Sequence, residues 1–204
     1  VGAAHAGEFG SREATAQAKG ELVEALPQDG VAVLNADDPA VRAMAERTKA
    51  RVVLFGESPD AQVRAQQIRL DGAARATFTL VTPSGTAEVS LGLSGEHQVS
   101  NALAVAAVAL AAGMPLADVA VELGEVRPAS RWRMEVTTRP DGVTVVNDAY
   151  NANPDSVRAA LKALAVMGRA AADPTGGAPG SSGGPRRTWA VLGEMGELGE
   201  ESRE

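Results

Sequence analysis

Two periodicities alternate along the chain. Short apolar runs that end in polar residues, "VAVLN" at 31–35 and "RVVLFG" at 51–56, predict buried parallel strands, which are apolar on both faces. A helical pattern over about 11–26 precedes them, with Ser11 placed to cap it and Pro27 and Gly30 placed to stop it. Asp38-Pro39 opens a second helix, with Asp38 at the N-cap and Pro39 at the first helical position. Alternating runs at 63–70, 76–81 and 87–93, with turns at Asp71-Gly72 and Ser84-Gly85, predict an antiparallel insert. Helices over 97–112 and 116–123 follow. Pro128 in "RPASRWRMEV" breaks this pattern, and new strands are expected at 133–138 and 142–147, the second of them buried, before an amphipathic helix through 157–164. "DPTGGAPGSSGGP" at 173–185 cannot bury apolar surface and reads as a loop, and "TWAVLG" at 188–193 reads as a last strand. The alternation predicts an α/β protein, divided near Trp132 into residues 1–132 and 133–204.

Composition narrows the classes. With 45% hydrophobic but 3% aromatic residues, the core has to be filled by Ala, Val and Leu. A net charge of -7 without a basic stripe argues against a general nucleic-acid binder. The absence of Cys excludes a disulfide framework, a zinc–thiolate site and a Cys nucleophile, and fits a reducing, cytoplasmic setting. The longest apolar run, around 102–112, is too short to cross a bilayer. The chain begins at Val1 without Met or signal peptide and in the middle of a motif, so an incomplete piece is expected.

Polar clusters close two of the predicted strands, where open α/β sheets bind ligands. In "LNADDP" (34–39), Asn35 can offer an amide to a base edge, and Asp38 can cap its helix or accept from an adenine amino group. "NDAYNANPDS" (147–156) crowds three Asn, two Asp and the only Tyr into one turn, where Asn151 and Asn153 can equally be turn formers. In "SGEHQVSN", His97 and Asn101 stand at i, i+4 on a helix start, which suits a nucleotide or an ordinary cap. Lys19 shares a helical face with Val23 and Leu26. It either snorkels or, if desolvated, loses its proton and can take up carbon dioxide as a carbamate, an oxygen ligand for a hard metal. His5 and Glu8 lie just before that helix, where ligands for Mg²⁺ can gather.

Taken in order, "AHAGEFGS…AKGE", "LNADDP", "GEHQVSNALAVAA", "SRWRMEV", "NDAYNANPDS" and "VLGEMGELG" make the chain resemble the Mur ligases of peptidoglycan synthesis. Within them it is most similar to the members that add D-alanyl-D-alanine to UDP-N-acetylmuramoyl-tripeptide. The resemblance implies part of a central P-loop-type ATP-binding domain followed by part of a C-terminal Rossmann-like α/β domain. It implies an ATP-dependent amide ligase working through an acyl phosphate, with ATP and Mg²⁺ as cofactors, as a monomer without nucleic acid or membrane insertion. Carried over by motif, His5 resembles the metal-binding histidine and Lys19 the carbamylated lysine. Asn35 and Asp38 would face adenine, with His97 and Asn101 closing its pocket. Arg133 resembles the junction arginine that reaches ATP, and Asp148 the carboxylate that meets ATP on closure. Tyr150, Asn151 and Asn153 would contact the incoming dipeptide.

One departure stands out. No G-x-x-x-x-G-K-[ST] phosphate loop occurs in these 204 residues. In the family that loop lies upstream of "AHAGEFGS", so these residues alone are expected to be inactive. The rival readings are another Mur ligase, a folylpolyglutamate synthase-like ligase, or a non-catalytic nucleotide-binding module.

Overall fold

The structure, a computed structural model, describes residues 11–170 and 187–195. Helix α1 (Arg12–Glu24) starts at Ser11, whose hydroxyl accepts from the Ala14 N–H, as its sequence position implies. Strands β1 (Val31–Asn35) and β2 (Arg51–Gly56) pair in parallel, residue for residue from Val31↔Arg51 to Asn35↔Phe55. Between them, Asp38 caps α2 (Pro39–Arg42), which tightens at once into a 3₁₀ turn at Ala43–Arg47. The helix expected there is therefore only four residues long before its geometry changes.

Strands β3 (Val63–Leu70), β4 (Arg75–Thr82) and β5 (Gly85–Ser94) form the predicted antiparallel set. They are not a separate insert, because β3 also pairs in parallel with β2 at Phe55↔Val63 and Gly56↔Arg64. One five-stranded sheet results, in the order β1-β2-β3-β4-β5. Helices α3 (Gln98–Ala111) and α4 (Leu116–Glu125) cover it. The period-2 alternation of the strands sorts their side chains between two layers. Val31, Val33, Val53 and Phe55 pack with α3 in the cluster that holds Phe78, Leu80, Val89 and Leu103. Ala32, Leu34, Val52 and Leu54 pack on the other side with Val23 and Met44.

A second, two-stranded sheet pairs β6 (Glu135–Thr138) with β7 (Thr144–Asn147), followed by α5 (Pro154–Ala170). Ala74 of the β3–β4 turn joins Met134 and Ala163 in a third cluster with Val146 and Ala160, tying this unit to the first sheet. Two expectations fail here. The strand read as buried at 142–147 leaves Val143 and Val145 exposed, because α5 covers only the face that carries Val146. Residues 188–193 form no strand: Trp189 and Val191 are exposed, and among the described residues this segment pairs with no strand. An apolar run can build a strand only where a neighbour takes its backbone hydrogen bonds. Among the described residues, no helix is long and apolar enough to cross a membrane.

Candidate functional site

The carboxyl ends of β1 and β2 and the start of α3 form one polar edge. Asn35 closes β1 and accepts the Asp37 N–H through Oδ1 at 2.8 Å. Asp38 caps α2, its Oδ1 accepting from Ala40 N at 2.9 Å and Val41 N at 3.3 Å. It also lines a cavity of about 520 Å³ with Glu13, Gln17, Met44 and Arg47, so open space beside it lies toward α1. At the end of β2, Glu57 has a carboxyl raised above its ordinary range, first by desolvation and then by the negative charges of Asp37 and Glu96. That charge coupling places the ends of both parallel strands beside the segment that starts α3.

His97 occupies the N-cap of α3 without capping through its side chain. Gln98 Nε2 donates to His97 Nε2 at 3.2 Å, and Gln98 Oε1 accepts from Asn101 Nδ2 at 3.0 Å. His97 and Asn101 are thus linked through Gln98, which spacing alone does not single out. Gly95, at φ +108°, leaves no room for a Cβ against the His97 ring. His97 is exposed overall, yet protein crowding one side of the ring pushes its pKa down by desolvation; the nearby Asp148 carboxylate works in the opposite sense. The crowding outweighs the charge.

That pairing brings in the second edge. Asp148 follows β7, and its Oδ1 accepts the Met134 N–H at 2.9 Å. Tyr150 N donates to Trp132 O at 3.0 Å, and the Arg133 guanidinium lies 4.1 Å from the Tyr150 ring centroid, a cation–π contact. Arg133 is held between Trp132 at φ 64° and Met134 at φ 46°, a left-handed pair that costs backbone energy and depends on these contacts to persist. Asn151 Oδ1 accepts from Ala152 N at 2.8 Å. Asn153 and Ser156 cap α5 reciprocally, Ser156 N donating to Asn153 Oδ1 and Asn153 N to Ser156 Oγ. For Asn153 the turn-forming reading is therefore satisfied within the chain.

Of the metal-related residues, His5 and Glu8 lie outside the described residues. Lys19 is exposed on α1. Thr15, Gly20 and Val23 take the buried positions on α1, and Lys19 stands at their rim, as the snorkelling alternative has it. Among the described residues no three His, Asp or Glu side chains converge as a metal site. The described part therefore does not by itself make a Mg²⁺ site.

Two family descriptions fit the chain. The Mur ligase middle domain matches residues 1–109, and the glutamate ligase domain of Mur ligases matches residues 132–204. The chain belongs to the Mur ligase family. This Mur ligase chain is 54% identical over 202 residues to the UDP-N-acetylmuramoyl-tripeptide–D-alanyl-D-alanine ligase of Mycobacterium tuberculosis, covering 99% of itself and 38% of that protein. It is 39% identical over 168 residues to a UDP-N-acetylmuramate–L-alanine ligase of Stenotrophomonas maltophilia, covering 80% of itself and 35% of that protein. Its fold matches a crystal structure of MurF from Acinetobacter baumannii with a TM-score of 0.82 at 32% identity, over 99% of this chain and 40% of that one. The chain thus spans about two fifths, or less, of the length of these relatives.

Proposed function

We propose that this Mur ligase chain supplies the nucleotide-facing and amine-facing edges of an ATP-dependent amide ligase that adds D-alanyl-D-alanine to UDP-N-acetylmuramoyl-tripeptide. The observation that carries the reading is the chain of contacts between the two edges: Gly95 N, just before His97, donates to Ala74 O, Ala74 packs against Met134, and Met134 N donates to Asp148 on the turn after β7. Strand ends on one side and a polar turn on the other suit a nucleotide on the first edge and an incoming amine on the second. The identity to a relative named for this reaction supports the substrate pair.

In the proposed chemistry, a carboxylate oxygen of the tripeptide attacks the γ-phosphorus of ATP and ADP leaves. The amine of D-alanyl-D-alanine then attacks the acyl carbon, phosphate departs with the former carboxylate oxygen, and the nitrogen loses a proton. This chain's part is to place groups around the charge that builds up, where pre-oriented donors act most strongly. Asn35, His97 and Asn101 would border the base, and Arg133, held over Tyr150, would reach toward phosphate. Asp148 would present its carboxylate to the nucleotide side, while Tyr150 and Asn151 face the dipeptide. ATP with Mg²⁺ is the proposed cofactor pair; the metal's chemistry is to offset phosphoryl charge. A cytoplasmic monomer is the proposed setting.

The test exchanges the aligned segment of the Mycobacterium tuberculosis relative for this chain and follows phosphate release. The expected result is release that needs ATP, the muramoyl-tripeptide and D-alanyl-D-alanine together, and that falls at least about tenfold in Asp148→Asn, the equivalent of roughly 1.4 kcal/mol in the barrier. The Stenotrophomonas relative favours a second reading, and the amine separates them: turnover with L-alanine and the unsubstituted UDP-muramate in place of the dipeptide and tripeptide would replace the dipeptide reading.

A further inference from the structure

Asp37 lies between the two residues expected to face the base, and its own bonds lead elsewhere. Its carboxylate reaches across to the end of β2, where Oδ2 accepts from Glu57 N and Oδ1 from Ser58 N, both at 2.8 Å. Gly56 permits this approach: a Cβ there would stand 2.6 Å from Asp37 Oδ2, on a backbone at φ +150°. Two amide hydrogen bonds to one carboxylate are charge-assisted. They fasten the turn after β1 to the turn after β2.

The fastened turn acts on Asn35. The Asp37 N–H donates to Asn35 Oδ1 at 2.8 Å. A backbone N–H can only donate, so the atom facing it has to be the amide oxygen and not the NH₂. The amide is thereby held one way round, with the NH₂ and the second lone pair of Oδ1 in a fixed order at the strand end. Adenine presents an amino donor beside the N7 acceptor, an order a fixed amide can match with both groups. Guanine presents acceptors at both places, which only the NH₂ can meet.

The geometry points to Asp37 as a positioning residue for base selection: by clamping the two strand-end turns together it holds Asn35 in one orientation and so favours adenine over guanine. This rests on the nucleotide reading of the same edge.

The experiment uses the full chain, ¹⁵N-labelled, titrated with ATP and with GTP while the Asn35 side-chain NH₂ resonances are followed. The unaltered chain should bind ATP more tightly than GTP and shift those resonances. Asp37→Ala and Gly56→Ala, which disturb the clamp from opposite sides, should each cut the ATP-over-GTP preference by about tenfold and move the Asn35 resonances before nucleotide is added. Asp37→Asn, which keeps one acceptor, should retain part of the preference and guards against a variant that does not fold. Faster amide exchange at Glu57 and Ser58 reports the broken clamp independently of any nucleotide. If exchange speeds up while the preference stays, Asp37 only ties the turns and the inference is overturned, with the nucleotide reading intact. If neither this chain nor the chimera that carries it binds either nucleotide, both fall.

Discussion

His97 is the residue on which the two halves of the site act against each other. Crowding of its ring favours the neutral form, the Asp148 carboxylate favours the charged one, and crowding prevails. An NMR titration should therefore give His97 a pKa below the ordinary value of about 6.5, and Asp148→Asn should lower it further by removing the opposing charge. The sign for stability follows. A depressed folded-state pKa leaves this contribution whole above the unfolded value and erodes it as pH falls through that value toward the folded one, modestly because the residue is exposed. A titration midpoint above the ordinary value would show the ring to be paired and open to water. Sequence placed His97 and Asn101 together correctly, since i, i+4 spacing fixes neighbours on a helix. It did not expose Gln98 between them or the reach of Asp37 to Glu57 and Ser58, because a carboxylate's partner far along the chain is set by strand register. For Lys19, spacing locates a Cα, whereas a four-carbon stem decides where the amine ends, and its exposure agrees with the snorkelling alternative.

At the scale of elements, the caps at Ser11 and Asp38 carried the clearest signal, while Asn153, read as a turn former, also proves to cap a helix. Ser11, Asp38 and Asn153 each accept backbone N–H groups at a helix start, and each is a residue type whose short oxygen reaches them. Asn153→Ala should cost about 1 kcal/mol in thermal or denaturant unfolding, and Asn153→Asp close to nothing. Equal losses in both would mean that the amide, and not its oxygen, matters. Strands were legible where two layers exist to bury them, as for β1 and β2. At Val143, Val145 and Val191 the same apolar pattern misled, because none of the described helices covers those faces. The change from α2 to a 3₁₀ turn also left no mark in the pattern, since both geometries tolerate the same short run of Ala, Met and Glu.

Across the whole molecule, the link between the large sheet and the hairpin–helix unit is narrow. Ala74, fully buried at φ 56°, meets Met134 and Ala163, and its carbonyl accepts the Gly95 N–H at 2.8 Å just before His97. The contact that joins the units thus adjoins the candidate site. Ala163→Asp would place an unpaired charge in this cluster. Amide exchange should rise through β6, β7 and α5 while Phe78 and Leu80 of β4 stay protected, and a uniform rise over both units would show that they unfold as one. Nothing in the hydrophobic pattern announces this contact, because Ala74 lies in a turn that reads as polar. A different consequence attaches to the two tryptophans. Trp132 and Trp189 are both exposed, 51% and 81%, while the main core contains only Phe among the aromatics. Intrinsic indole emission is accordingly a weak gauge of whether the large sheet is folded, but it is a ready optical reporter for anything that settles over the junction or the 187–195 segment.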